Sequence, residues 1–341
     1  METYVVVRAH GLRTHLLKPE DYEKLLGTAN VKEFIYVLSD TDYRNVVEQL
    51  PEEVEASDFR KALFKKYMER VNILEKNSPD GLRQFLRNYA LGRFEVVNIK
   101  HVLRAKAGGS SISVHELFPV KLNVVKWNEL LELEKLDDAV RYLARRGYPT
   151  LDIAFSIYRR NRLLDVLECA LEADYYDSLH RLIEKLKLRE LEDIVREEAD
   201  IRWLYWIIDL KARRANLSEV KSILDKYGGK ASEELWSHAL KYELEDFIFF
   251  LSRFRRYRRI IPQLRRGLRA RDYLLVEDLL RKRLYDMAVH YLLYEPVSLT
   301  YVLSFLLLCE AEMCNLMILF SGKKARLHAH ELRPFIFLPL V

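Results

Sequence analysis

An all-α fold is predicted by three observations on this 341-residue chain. Glycine and proline are few, 11 and 9, which favours long helices over a many-turned β architecture. Strand-like alternation is scarce. Apolar residues recur at helical spacing, and in three places the apolar stripe carries the same polar intruders. Half of the residues are hydrophobic, enough to bury a sizeable core at this length. The net charge of +5 suits contact with an acidic protein, lipid headgroups or nucleic acid, and selects none of them.

In chain order, TYVVVRA (3–9) is the best strand candidate and could equally open a helix. The N-terminus METYVVVRAHGLR lacks the apolar core of a signal peptide. Residues 21–43, DYEKLLGTANVKEFIYVLSDTDY, form a block that returns as KWNELLELEKLDDAVRYLARRGY from Lys126 and LWSHALKYELEDFIFFLSRFRRY from Leu235. Its leading aromatics Tyr22, Trp127 and Trp236 each precede Tyr43, Tyr148 and Tyr257 by 21 residues.

The second block is EVVNIKHVLRAK (95–106), a helix whose apolar stripe of Ile99, Val102 and Leu103 contains Glu95, Asn98 and Lys106. It returns as DIRWLYWIIDLK (200–211) and EMCNLMILFSGK (312–323). Alignment puts Glu95, Asp200 and Glu312 in one column and Lys106, Lys211 and Lys323 in another. Asn98 and Asn315 share a column in which the middle copy has Trp203. From leading aromatic to aligned lysine the separations are 84, 84 and 87 residues. Two blocks in the same order at nearly the same separation imply three helical-bundle units: 1–116, 117–226 and 227–341. The loops AGGSSISVHELFP (107–119) and DKYGGKAS (225–232) mark the boundaries.

The intruding polar residues have two readings. In one they reach out of the stripe, or satisfy backbone ends and each other across neighbouring helices. In the other they line an inter-repeat seam or central cavity, where they fix register or meet a partner.

Four stretches, VRAHGLRTHLLKPEDYEKLL, NIKHVLRAKAGG, LEADYYDSL and EAEMCNLMILFSGKKA, resemble the C subunit of archaeal A-type ATP synthases, counterpart of the d subunit of vacuolar proton pumps. The resemblance runs from about residue 4 to about residue 328. It implies a funnel-shaped protein of three pseudo-three-fold-related repeats, seated between the rotating axle (subunits D and F) and the membrane proteolipid ring. It further implies a non-catalytic coupling role in proton or sodium transport, at the cytoplasmic face of the membrane and held there by protein contacts. The departures are Trp203 for asparagine, Asp209 opposite Arg104, and the tail FSGKKARLHAH followed by apolar PFIFLPLV.

Residues for bond chemistry are sparse. SGKK (321–324) lacks the Walker pattern, because Met317 and Lys324 stand where glycine and Ser/Thr are needed. AGGSS lacks dinucleotide-binding spacing. HAHE (His328, His330, Glu331) offers two imidazoles and a carboxylate with no further ligand near in sequence. Cys169, Cys309 and Cys314 have no CxxC spacing and read as reduced thiols. The charge-free run Pro296–Cys309 is 14 residues, short of the roughly 20 of a membrane span. No enzyme activity, cofactor, metal or small-molecule substrate is expected.

One asymmetric charge feature remains. Residues 253–283 hold 11 Arg and one Lys against Asp272, Glu277 and Asp278. A charged contact surface is assigned to Arg253, Arg255, Arg256, Arg258 and Arg259. With Phe254, Tyr257 and Tyr273 interleaved, it would serve RNA, anionic headgroups or acidic stalk residues, or be a solvated face. The rival to the rotor reading is a free-standing helical-repeat adaptor that binds RNA or protein through this third repeat; on the rotor reading no nucleic acid is expected.

Overall fold

The computed structural model describes residues 2–122, 124–228 and 233–338. Among the described residues there are α-helices and short 3₁₀ turns but no strand. The chain begins with α1 (Glu2–Arg13), α2 (Pro19–Gly27), α3 (Val31–Ser39), α4 (Arg44–Val47), α5 (Ala56–Lys76) and the long α6 (Asp80–Ala107). The middle holds α7 (Trp127–Glu132), α8 (Leu136–Ala144), α9 (Thr150–Asn161), α10 (Asp165–Leu186), the long α11 (Glu192–Ala212) and α12 (Leu217–Leu224). The last part holds α13 (Glu233–Lys241), α14 (Leu244–Leu251), α15 (Arg255–Arg258), α16 (Ile261–Arg269), α17 (Tyr273–Tyr294), the long α18 (Leu299–Lys324) and α19 (Ala329–Leu332).

Local chemistry explains the boundaries. TYVVVRA is helix: Val5, Val6 and Ala9 are buried and Val7 is 58% exposed, a one-sided pattern of helical period where a strand would alternate. Asn30 caps α3 by accepting from Glu33 N at 3.0 Å, while Glu33 Oε2 accepts from Ala29 N at 2.6 Å. The first bond satisfies a helix-start donor, and the second ties the residue before the cap back to the first turn. Past the end of α6, Gly109 takes φ +67° and Ser110 N donates to Ala105 O at 2.9 Å, a helix-ending turn that glycine permits. The loop 107–119 is accordingly non-helical apart from a 3₁₀ turn at Val114–Glu116. In the second predicted loop, Gly228 is left-handed and 229–232 lie outside the described residues.

The chain forms two compact units: Met1–Ala90 with Tyr285–Val341, and Leu91–Leu284. In the first, α18 packs on α1, α3 and α5. Its Phe320 stacks on Phe59 at 4.4 Å, and Phe34 meets Phe59 edge-on at 5.8 Å. By length and composition α18 could cross a bilayer, longer than the 14-residue run that the sequence offers, but most of it is buried in this unit. It is a core helix that is apolar on nearly every face because neighbours surround it. In the second unit α10 packs on α9, α11 and α12, and α14 on α16. The units change within α6 and α17, away from the predicted repeat ends, because α18 is packed on α1, α3 and α5. The three cysteines are free, Cys169 and Cys309 buried.

Candidate functional site

The polar intruders of α6 and α18 make the same kinds of bond at aligned positions, and α11 shares the lysine bond. On α6, in the second unit, Glu95 Oε1 accepts from Tyr148 Oη at 2.8 Å. Asn98 bonds the backbone of Phe118 twice, Nδ2 to O at 2.8 Å and N to Oδ1 at 2.9 Å. Lys106 Nζ donates to Leu131 O at 3.3 Å and to Leu133 O.

On α18, in the first unit, Glu312 Oε1 accepts from Tyr43 Oη at 2.7 Å. Asn315 bonds Phe337 twice, Nδ2 to O at 2.6 Å and N to Oδ1 at 2.9 Å. Lys323 Nζ donates to Leu26 O at 2.7 Å and Thr28 O at 2.6 Å. On α11, again in the second unit, Lys211 Nζ donates to Tyr242 O at 2.6 Å. Thr28, Leu133 and Tyr242 each lie six residues after the leading aromatic of their block.

The lysines therefore cap carbonyls at the C-terminal ends of α2, α7 and α13, where a helix presents partial negative charge. Burial pulls all three ammonium groups below the usual lysine pKa. The asparagines bond both the N–H and the C=O of one non-helical residue, holding the returning chain against the long helix. Where Trp203 replaces asparagine, its ring meets Trp236 edge-on at 5.0 Å, and the chain beyond α11 turns into α12 instead of a non-helical segment. That hydrophobic contact replaces a bond that a helical continuation does not need. Asp200 is buried at 2% exposure.

The acids differ in their electrostatics. Arg70 Nη1 donates to Glu312 Oε1 at 2.8 Å, and Leu17 N donates to Oε2 at 2.5 Å. Arg70 lies 27 residues after Tyr43, and the same step from Tyr148 and Tyr257 reaches Tyr175 and Leu284. Glu95 thus has no guanidinium at the corresponding place. Burial pushes its carboxyl up to about 7, against a smaller opposing effect of the Tyr148 hydrogen bond. Tyr175 also lies where Gly92 leaves room, since a Cβ there would fall 2.8 Å from Tyr175 Cε2.

Elsewhere in the second unit α6, α10 and α11 share buried ion pairs that sequence reading missed. Glu172 accepts from Arg202 Nε at 3.0 Å and Trp206 Nε1 at 2.8 Å, and pairs with Lys100. Burial alone would raise its pKa, but Arg202 and Lys100 outweigh it and hold the carboxyl at about 2. Arg93 Nη2 bonds Glu198 at 2.5 Å, which also accepts from Tyr176 Oη at 2.9 Å. On charged helices such partners carry no sequence signal. The Tyr column was visible, as the alignment anchor.

Arg253, Arg255, Arg258 and Arg259 are exposed, and the side chain of Arg256 lies outside the described residues. Arg253 sits 5.3 Å over the Phe250 ring, and Arg258 Nε donates to Ser252 O at 3.4 Å. Of the aromatics between them, Tyr257 is 2% exposed and Phe254 is half-buried. In the apolar tail Ile336 and Phe337 are buried while Phe335 is 44% exposed, and 339–341 lie outside the described residues. In HAHE, His328 N donates to Glu331 Oε2 at 2.8 Å and opens α19. Among the described residues no group of three His, Cys, Asp or Glu side chains is placed to hold a metal.

The family model described as ATP synthase (C/AC39) subunit matches residues 5–335. Among similar curated proteins, the C subunit of the A-type ATP synthase of Methanocaldococcus jannaschii is 28% identical over 253 residues, 72% of this chain and 59% of that protein. That of Methanosarcina acetivorans is 24% identical over 331 residues, 95% of this chain and 89% of the relative. That of Halorubrum lacusprofundi is 24% identical over 339 residues, 96% and 95% of the two chains.

Proposed function

The chain belongs to the ATP synthase (C/AC39) subunit family, and from that premise we propose that it is the central-stalk socket of an A-type rotary ATP synthase. As an ATP synthase subunit it serves a membrane-associated complex. On this reading it receives the axle subunits D and F on one side and seats on the proteolipid ring on the other, peripheral at the cytoplasmic face. Its part in coupling ATP turnover to proton or sodium flow is mechanical. No side chain makes or breaks a bond; a rigid body transmits torque through shape and polar contact.

The family match over almost the whole chain carries the reading. The repeated bonds support its second element, three successive helical repeats at 1–116, 117–226 and 227–341. Glu95, Asn98 and Lys106, then Lys211, bond residues that the sequence assigns to the following repeat, and Glu312, Asn315 and Lys323 engage Tyr43, Phe337, Leu26 and Thr28. A torque-bearing part benefits from such cross-ties, because a buried polar bond has one satisfied geometry and fixes register.

Native mass spectrometry of the full chain with a reconstituted D–F heterodimer tests the proposal. A one-to-one-to-one complex at moderate salt supports it. Absence of a complex, with the chain folded by circular dichroism, overturns it.

A further inference from the structure

Residues 253–271 of the second unit hold nine arginines and no acidic residue in sequence, and Arg253, Arg255, Arg258, Arg259, Arg266, Arg269 and Arg271 are exposed. On α16, Ile261, Leu264 and Gly267 face inward. Arg265, Arg266 and Arg269, with Pro262 and Ala270, line a surface depression of about 520 Å³. Arg271, left-handed at φ 55°, ends this helix. At the start of α17 follow Tyr273, 39% exposed, and Leu274, 77% exposed. The nearest acids in sequence are otherwise engaged: Asp272 Oδ1 caps α17 by accepting from Leu275 N at 3.0 Å, and Glu277 interacts electrostatically with Arg104.

We propose that this arginine face docks on an anionic phospholipid surface, with headgroup phosphates among Arg265, Arg266 and Arg269 and with Tyr273 and Leu274 entering the interface. Guanidinium groups pair with phosphate through two parallel hydrogen bonds. A basic face next to exposed tyrosine and leucine has the composition of an interfacial surface. RNA fits less well, because a stacking platform needs several exposed rings, whereas Tyr257 is buried and Phe254 half-buried, which leaves the ring of Tyr273. A folded acidic partner would have to match the arginines' irregular spacing with fixed carboxylates, whereas a fluid headgroup layer adapts to any spacing. The proposal rests on the membrane position given above and deepens it: the protein would touch lipid as well as its protein partners.

Vesicle flotation of the full chain tests it, using phosphatidylcholine with and without phosphatidylglycerol at low and moderate salt. Binding should require phosphatidylglycerol and weaken with salt. At about five-fold per arginine, the triple change Arg265→Gln, Arg266→Gln, Arg269→Gln should reduce it about 100-fold. Leu274→Asp should reduce it separately, with the net positive charge nearly kept. Equal binding to neutral vesicles, or unchanged binding by the triple variant, overturns the proposal. So does failure to float alongside arginine-dependent binding of RNA or of the D–F heterodimer, which would assign the face to that partner. Formation of the D–F complex is read independently, so loss of lipid binding leaves the socket reading standing.

Discussion

Glu95 and Glu312 occupy one column of the alignment and accept the same tyrosine bond, yet only Glu312 has an arginine beside it. For Glu95 the consequence is a pH dependence of stability. Its folded pKa is about 7, against roughly 4.3 for an unfolded glutamate. Between these values the folded chain keeps a proton that the unfolded chain has released. Stability therefore falls as pH rises through this window and levels off above it. Glu95→Gln retains an oxygen for Tyr148 and removes the titration. Relative to wild type, it should gain about 3 kcal/mol between pH 4.5 and pH 8. Urea melts at the two pH values check this, and an equal difference at both would show that Glu95 is ionised in the fold. At Glu312 the prediction is an interaction. Arg70→Leu leaves a buried carboxylate unpaired and should cost about 3 kcal/mol at pH 8, and adding Glu312→Gln should restore most of it. Additive losses in the double variant would refute the pairing account.

At the scale of elements, the long helices hold the short ones by their ends. Lys323→Met would strip two carbonyl bonds from the C-terminus of α2 and should cost about 1–2 kcal/mol. Hydrogen exchange should quicken in α2, while α6 is unaffected; uniform protection would mean that the cap is dispensable. Gly322 on α18 offers a packing counterpart. A Cβ there would lie 2.3 Å from Leu332 Cδ2, so Gly322→Ala should lift α19 from α18 and expose residues 325–338 to protease. Leu332→Ala on that background should restore protection. Helix existence was legible because period and composition agree, but several helix ends were not. Arg162, Lys187, Arg214, Arg271 and Arg326 take the left-handed conformation at helix ends, where glycine would have announced a stop. The Asn column was legible as a pattern, and its purpose was not, since Phe118 and Phe337 lie on segments with no periodicity. Arg70 could not be singled out either, being one basic residue among many on α5.

At the scale of the whole chain, the alignment made aligned positions visible without showing which segment each long helix would engage. Helical period identifies the buried face of a helix and says nothing about whose side chains cover it. The clearest case is α18, whose partners α1, α3 and α5 come from the other end of the chain. Its apolar length resembles that of a membrane segment, and burial in the first unit supplies the physical reason for it. The N-terminal helices accordingly depend on the C-terminal one. Phe34 and Phe59 complete their aromatic cluster with Phe320, Arg70 and Tyr43 converge on Glu312, and α2 is capped by Lys323. A chain ending at Leu284 would lose all of these together and expose the apolar faces of α1, α3 and α5. Limited proteolysis of this truncation should cut throughout residues 1–90 while 91–284 resist, because that unit keeps α10, α11 and their ion pairs. Full protection of 1–90 without α18 would show that the first five helices form a core of their own, independent of the C-terminal one.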